Sequence, residues 1–439
     1  MRRGSRDVVR LIATAVALAA GTHSLATGQT AAPTPSSDQR IMLRAMLKAG
    51  FESVRDYYFD SKFNGVNWTA RYAEYQARLA AAPTIHAGLQ IVAEMIDGLG
   101  DSHTRFFLPG WQGQVDYGYD LIAVGERLYV TSVRPGSDAA AKLRGGELVT
   151  SWNEEPVTRA TLARARHVFS ALTPLTETRL TLREGDGRER AVSVRSTVTE
   201  NPMLKMLGSG GFRVSDLIRQ DQEAEFAFRG RPASLGKVLV WKMPRFISDL
   251  GDINRVADIA LKHEAVVLDL RGNPGGYVDA LQRLASVLFS TKVTLGTLVE
   301  RKGPSAITVA PRGNRTFNGR LIVLTDSESA SSAEVIARAV QLEGRGTVVG
   351  DTSAGAVRVS AVRHFIYGMD SQTPYAFSIT LANLLMRDGS SLEGRGVTPD
   401  ELLLPTAEDL AQGRDPVLSR AVTLAGGVLD PVAAGKLFR

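Results

Sequence analysis

The stretch that decides the fold is LIVLTDSESASSAEVIARAVQL, residues 321–342. Residues 321–325 form a nearly continuous apolar run, which predicts a strand covered on both faces. Residues 333–342 repeat apolar positions every three or four residues, which predicts a helix. The small polar turn between them places Ser331 at the helix start, where unpaired amides and the helix dipole favour an oxyanion. We therefore take Ser331 as a candidate nucleophile.

The same turn has a second reading. Ser331 and Glu334 have the spacing of a capping box, in which each side chain satisfies a backbone amide of the other residue. Such a box needs no catalysis. The spacing alone does not separate the two interpretations.

Strands and helices alternate on either side of this unit, from residue 236 onward. The predicted strands are Val238–Trp241, Ala265–Leu270, Leu321–Thr325 and Thr347–Val349, and the predicted helices are Ile253–His263, Leu281–Phe289 and Ala333–Leu342. Continuous apolar strands flanked by helices predict a sheet covered on both faces, in an α/β layer architecture.

A second turn of interest follows the strand at residues 265–270. It reads RGNPGG, residues 271–276, and its glycines can expose consecutive backbone amides to a bound group. Amides that converge on developing negative charge form an oxyanion hole. A Gly-Gly pair at a strand end is also an ordinary turn, so this motif is a candidate only.

Residues 111–198 are predicted to form a β domain. A strand at Leu128–Val133, an Arg-Pro-Gly-Ser turn, a short Ala-rich helix, a helix around Leu162–Leu172 and a strand pair at 179–183 and 190–194 follow one another. This order resembles PDZ domains, although an unrelated small β-barrel is the alternative. A PDZ-like groove adds a peptide C-terminus to a sheet edge. The predicted carboxylate loop comprises Tyr117, Gly118, Tyr119, Asp120 and Leu121.

The N-terminal part of the chain contains a predicted export signal and a helical domain. Four arginines precede the apolar run 11–20, and Ser24-Leu25-Ala26 fits a cleavage site, which predicts a signal peptide over residues 1–26. An uncleaved anchor is the alternative. A polar linker is predicted over 27–38 and a helical domain over 39–110, and no later stretch is apolar enough for a membrane span. We expect an exported protein, periplasmic or secreted.

Composition excludes several kinds of site. The 439 residues include no cysteine, so disulfides, Cys-ligated zinc and thiol nucleophiles are excluded. The net charge of +6 is spread without a dense basic block, which argues against nucleic acid as a partner. No metal-ligand spacing occurs among the histidines, and no cofactor is implied.

Five motifs in order resemble the tail-specific (C-terminal processing) protease family over nearly the whole mature chain. They are FNGVNW (63–68), DSHTRF (101–106), the RGNPGG turn, the Ser331 turn and RGVTPD (395–400), with the PDZ-like domain inserted. The resemblance implies a crotonase-like α/β catalytic core over 199–439. It also implies that Ser331 is the nucleophile, with the amides of Ser332 and of Gly275 or Gly276 as the oxyanion hole.

The proton acceptor departs from the common pattern of that family. Bacterial and plastid members carry a lysine after the next strand, but this sequence has Ala356 there, and a methyl group accepts no proton. The tricorn-protease branch uses a His preceded by Ser, together with a late Glu. The resemblance therefore implies His103 as base, Glu393 as the group that orients it, and Ser102 as a supporting partner.

The sequence thus predicts a serine peptidase that cleaves polypeptides with exposed C-termini through an acyl-enzyme. The alternative is a non-catalytic protein that binds peptides or apolar ligands on the same fold. At single positions, His103 can be structural, Glu393 a solvated charge and Lys242 a displaced base. Outside the predicted signal peptide, the remaining motif-free histidines are His86, His167, His263 and His364.

Overall fold

The computed structural model describes residues 34–107, 114–169, 175–199, 228–368 and 373–438. The signal peptide predicted over 1–26, and the linker as far as residue 33, lie outside these residues. Within the described ranges the chain is a mixture of helices and four β-sheets.

Three helices form the N-terminal part: α1 (Ser37–Tyr57), α2 (Trp68–Ala80) and α3 (Ile85–Asp97). Ser36 and Gln39 cap α1 reciprocally, since each side chain accepts a hydrogen bond from the other residue's amide. The apolar residues that predicted helices here, such as Met46, Val54 and Leu89, are fully buried in one core. The chain leaves α3 through Gly98–Gly100 and reaches β1 (Arg105–Phe107).

A β domain follows. Its strands are β2 (Gln114–Asp116), β3 (Tyr119–Val124), β4 (Arg127–Val133), β5 (Leu148–Trp152), β6 (Glu155–Pro156), β7 (Glu177–Arg183), β8 (Glu189–Arg195) and β9 (Thr197–Thr199). The antiparallel order is β3-β4-β5-β7-β8, with β6 on β5 and a separate β2-β9 pair. Helix α4 (Arg159–His167) begins three residues before the predicted Leu162–Leu172, and the end of the predicted helix falls on residues outside the described part.

The central sheet has the order β10-β11-β12-β15-β16-β19, and all its pairs are parallel except β10-β11. These strands are β10 (Arg231–Leu235), β11 (Val238–Lys242), β12 (Ala265–Asp269), β15 (Arg320–Thr325), β16 (Thr347–Gly350) and β19 (Glu401–Leu402). The four strands predicted in this region are confirmed, and they pair in parallel. Each runs at the predicted place, and the four inner ones are almost entirely buried.

Helices cover both faces of this sheet, as the continuous apolar strands require. Successive side chains point to opposite faces, so Leu239, Val266 and Val323 join one core and Val240, Val267 and Leu324 the other. The first core is closed by α5 (Leu250–Ala260), α6 (Val278–Leu288) and α7 (Ser332–Leu342). The second is closed by α9 (Pro416–Leu424) and α10 (Pro431–Lys436), and the short α8 (Ala407–Gln412) precedes them.

A second sheet joins the N-terminal helices to this core. It contains β1, β13 (Val293–Glu300), β14 (Gly303–Val309), β17 (Arg358–Tyr367) and β18 (Thr373–Met386). The long strand β18 contributes Phe377 to the helical core and Leu384 to the central one. Because β1 pairs with β18 at Phe106 and Phe377, the residues just before β1 are brought next to the C-terminal half of the chain. These residues include His103.

No helix in the described ranges is long and apolar enough to cross a membrane.

Candidate active site

Ser331 lies at the turn between β15 and α7, with φ of 54° and ψ of −118°. A positive φ is unusual for a residue other than glycine and stores strain, which concentrates at functional sites. The Ser331 amide donates to the Ala356 carbonyl at 2.9 Å and to Glu334 Oε2 at 3.0 Å. The turn is therefore held from its backbone.

Glu334 accepts from the Ser331 amide, as the predicted capping box requires, but its carboxylate also has other partners. It is fully buried and accepts from Ser353 Oγ (2.6 Å), the Gly355 amide (2.8 Å) and the Ala356 amide (2.9 Å). Burial raises the pKa of this carboxyl group, against the effect of these hydrogen bonds. Glu334 thus fastens the 353–356 loop to the Ser331 turn, which is compatible with a catalytic Ser331 hydroxyl.

A chain of hydrogen bonds runs from His103 to Glu393 through Ser102. His103 Nδ1 is 2.7 Å from Ser102 Oγ, and Ser102 Oγ donates to Glu393 Oε2 at 3.0 Å. Glu393 also accepts from the Ser102 amide at 3.1 Å and from the Val357 amide at 2.8 Å. The sequence interpretation had Glu393 orient His103 with Ser102 in support, whereas the structure puts Ser102 between them.

Asp101 fixes the backbone of this segment. Its buried carboxylate accepts from the amides of His103 (2.8 Å) and Thr104 (3.0 Å), from Thr380 Oγ1 (2.7 Å) and from the Tyr58 hydroxyl (2.8 Å). Asp101 therefore connects the His103 segment to α1 and to β18. Asp101 is part of the DSHTRF motif. The only sequence feature that could have pointed to its role is its position next to Ser102.

His103 and Ser331 line one cavity of about 600 Å³. Its apolar wall includes Leu281, Ile307, Val335 and Leu384. No hydrogen bond joins the His103 ring to Ser331 within the described ranges, and unliganded sites are often looser than reacting ones. The two segments that carry these residues are more than 200 positions apart in the chain, and folding brings them to the same space.

Two family models match this chain. The description "Peptidase family S41" matches residues 242–403, which hold Ser331, Glu393 and the RGNPGG turn. This part of the chain is similar to peptidase family S41. The description "Tricorn protease C1 domain" matches residues 43–97, over the three N-terminal helices.

Two named peptidases are similar to this chain over most of its length. One is the putative tricorn protease homolog 2 of Streptomyces coelicolor, 26% identical over 404 residues, with 86% of this chain and 32% of the relative covered. The other is the chloroplastic carboxyl-terminal-processing peptidase 3 of Arabidopsis thaliana, 23% identical over 364 residues, with 79% and 66% covered. The chain thus spans about a third of the first relative's length and just under two thirds of the second's.

A solved structure of mature CPAF complexed with lactacystin has a similar fold. Its TM-score with this chain is 0.61 at 16% sequence identity, with 85% of this chain and 95% of that chain covered. The similarity supports the overall arrangement of sheets and helices.

The predicted oxyanion-hole residues surround the Ser331 side chain. A β-carbon built on Gly275 would lie 3.1 Å from Ser331 Oγ, so the Gly275 backbone is next to the hydroxyl, and the φ of 91° at Gly275 suits glycine. The Gly275 amide donates to Asn273 Oδ1 at 2.8 Å. Ser332 is the first residue of α7, whose early amides have no partner within the helix. Gly276 lines the same cavity.

Lys242, the alternative base, contacts the carboxylate of Asp269 and not that of Glu393. Its Nζ contacts Asp269 Oδ1 at 3.3 Å and the Arg271 carbonyl at 2.5 Å. Burial opposes ionisation of Asp269, yet Arg271 and Lys242 hold its pKa well below the usual range. Lys242 therefore belongs to a buried charge cluster in this part of the chain.

Two of the histidines outside the motifs make contacts that suit a structural role. His263 contacts the Ile259 carbonyl and Ser234 Oγ. The His167 ring packs edge-to-face against the Phe107 ring. Within the described ranges, no group of histidines and carboxylates has metal-binding geometry.

The predicted carboxylate loop lies at the start of β3. Tyr117, Tyr119 and Leu121 are buried in the core of the β domain. The Gly118 amide donates to Asp116 Oδ1 at 2.7 Å, and Asp120 accepts from Ser132 Oγ at 2.6 Å.

The outer edge of β3 is hydrogen-bonded to other parts of this chain. The Leu121 carbonyl accepts from Arg166, the Ala123 carbonyl from Ser327 Oγ (2.6 Å) and the Gly125 carbonyl from Arg159 (3.1 Å). Arg166 also pairs with Glu328 at 2.6 Å. Ser327 and Glu328 belong to the turn that carries Ser331, so this strand edge and that turn are fastened together.

Proposed function

We propose that this chain is a serine peptidase that hydrolyses peptide bonds through an acyl-enzyme. The observation that carries the proposal is the cavity shared by Ser331 and His103, with the Ser102–Glu393 hydrogen-bond chain behind the imidazole. A serine hydroxyl needs a nearby base to become a strong nucleophile, and an imidazole is suited to that role near neutral pH.

The hydrogen-bond chain assigns the protons of the resting site. An ionised Glu393 only accepts, so the Ser102 hydroxyl donates to it, and Ser102 Oγ then accepts from His103 Nδ1–H. This tautomer leaves the lone pair of His103 Nε2 available for a proton. Ser102 and Glu393 therefore orient the imidazole and stabilise the imidazolium that forms during reaction.

In the reaction, Ser331 Oγ attacks the scissile carbonyl carbon while its proton passes to His103 Nε2. The amides of Ser332 and of Gly275 or Gly276 bind the oxyanion, and among these the Gly275 amide has to leave Asn273 if it takes part. His103 then protonates the leaving amine, and the acyl-enzyme forms. Water, deprotonated by His103, releases the acid and restores Ser331.

For substrates, we infer exported polypeptides with exposed C-termini. We interpret the β domain as PDZ-like and the core as crotonase-like, with α4 beside the edge of β3 where a peptide would add. A C-terminus can pair with that edge only after Ser327, Arg159 and Arg166 release the β3 carbonyls. The basic and apolar N-terminal sequence supports export.

A serine-directed fluorophosphonate probe tests the proposal. The intact protein is expected to gain one probe mass, located on Ser331 by peptide mapping, because only an activated hydroxyl reacts rapidly with such a probe. Ser305→Ala, which removes an exposed hydroxyl on β14, should label like the unaltered protein. An unmodified Ser331 would instead favour the binding protein without catalysis.

The pH dependence follows from the burial of His103. Burial lowers the pKa of His103 below its usual 6.5, although the charges of Glu393 and Asp101 raise it. The neutral imidazole is the active base, so activity is lost only when the pH falls through this lowered pKa. We expect kcat/KM for a peptide substrate to reach half its plateau below pH 6.5. A midpoint at pH 7 or above would contradict this assignment.

A further inference from the structure

We propose that Arg358 is a positioning residue, whose guanidinium links Asp101 to Glu393 and thereby holds both ends of the Ser102–His103 segment. The inference rests on the proposed peptidase function and adds a residue that no motif indicated. Arg358 is the first residue of β17, next to Val357, whose amide donates to Glu393.

Arg358 contacts both carboxylates. Its Nη1 donates to Asp101 Oδ2 at 2.9 Å, and its Nε lies 3.4 Å from Glu393 Oε1. The Nε atom is buried and has no hydrogen-bond partner in the described part of the chain, so its contact with Glu393 is an ion pair and not a hydrogen bond. Nη1 also approaches the Tyr58 hydroxyl at 3.3 Å, and the guanidinium lies 5.0 Å from the centre of the Phe59 ring.

The positive charge of Arg358 matters because little water reaches the two carboxylates that it contacts. The side chains of Arg358, Asp101 and Glu393 are 10%, 0% and 13% exposed. Two carboxylates at such depth strongly favour a compensating positive charge. Without it, the negative charges of Asp101 and Glu393 would act on His103 with less compensation.

The charges around His103 give the direction of the effect. Apart from burial, the groups that act on it are Glu393 and Asp101, which raise its pKa, and Arg105 and Arg358, which lower it. Removal of the Arg358 charge therefore favours the imidazolium. It also leaves the two carboxylates less neutralised, which acts in the same direction.

The variants separate charge from geometry. Arg358→Gln removes the charge but keeps a donor for Asp101, which retains four other donors. Arg358→Lys keeps the charge, but one ammonium replaces the guanidinium that reaches two carboxylates. Arg363→Gln is the matched control, because Arg363 lies on the same strand with its guanidinium 3.7 Å from the Tyr57 ring centre.

The first measurement needs no catalysis. In a Ser331→Ala background of the full chain, the ring C2–H signal of His103 is titrated by NMR and assigned by its loss in His103→Gln. We expect the His103 midpoint to rise by roughly one pH unit in Arg358→Gln, as for the loss of one nearby charge. It should stay within a few tenths of a unit in Arg358→Lys and Arg363→Gln.

The second measurement uses the intact serine. Above pH 8, where His103 is neutral, fluorophosphonate labelling of Ser331 is expected to slow by about tenfold in both Arg358 variants, as for a displaced base. An unchanged His103 midpoint in Arg358→Gln, or the same rise in Arg363→Gln, would overturn the proposal. If Arg358→Gln does not fold, full-rate labelling of Arg358→Lys overturns it instead. If the unaltered protein is not labelled at all, the peptidase function fails, and the NMR titration still tests the link to His103.

Discussion

Replacing Ser331 by Ala is expected to lower proteolysis of an unfolded polypeptide by about 10⁴- to 10⁶-fold. Alanine has no hydroxyl, so no acyl-enzyme forms, and only residual catalysis by the oxyanion hole and substrate binding remains. The fold should be kept, because both residues carry a β-carbon at the strained φ of 54°. The backbone contacts of the turn to Ala356 and Glu334 do not involve the hydroxyl.

The comparison uses purified protein and a fluorescein-labelled unfolded substrate, with Ser305→Ala as the matched control. The control should retain the full rate, since Ser305 is exposed on β14. Equal rates in Ser331→Ala and the unaltered protein would mean that the measured proteolysis comes from a contaminant.

Replacing His103 by Gln is expected to lower kcat by about 10³- to 10⁵-fold with a smaller effect on KM. Glutamine can still hydrogen-bond to Ser102, but it accepts no proton, so Ser331 loses its base. The remaining activity should no longer decrease as the pH falls through the pKa of His103. The measurement is kcat and KM for a peptide substrate between pH 5 and 9.

His364→Gln is the matched control for this change. His364 is exposed on β17 and should behave like the unaltered protein. Activity of His103→Gln within tenfold of normal would require another proton acceptor and would exclude His103 from that role.

The central sheet could be predicted because its sequence signal is local. Val266, Val267 and Leu268 are apolar without alternation, and such runs fit only strands covered on both faces. The helices between them carry their own three- and four-residue pattern. The sheet that joins the helical region to the core was not predicted, because it pairs β1 with β18, more than 250 residues away.

The site was predictable only in part for the same reason. Ser331 and His103 stood in motifs, Glu393 lies just before the last of these motifs, and the roles of all three followed from a family resemblance. The order of the hydrogen bonds, with Ser102 between His103 and Glu393, depends on side-chain packing. Arg358 had no signal at all, because a lone arginine in a polar strand looks like a surface residue until its two carboxylates are seen.

The contacts that occupy the outer edge of β3 could not be predicted from the sequence either. Ser327 and Glu328 looked like ordinary residues of the Ser331 turn, and Arg166 looked like an exposed helix residue. Their contacts with the β domain form only when the Ser331 turn and the β domain pack together. A strand edge that seems open in sequence can therefore be occupied by the chain itself.

The hydrogen bond between Ser102 and Glu393 spans 291 positions. During synthesis, Ser102, His103 and Ser331 are all made before Glu393, so the carboxylate end of this hydrogen-bond chain is added last. A growing chain therefore cannot complete the proposed site until residue 393 has been made.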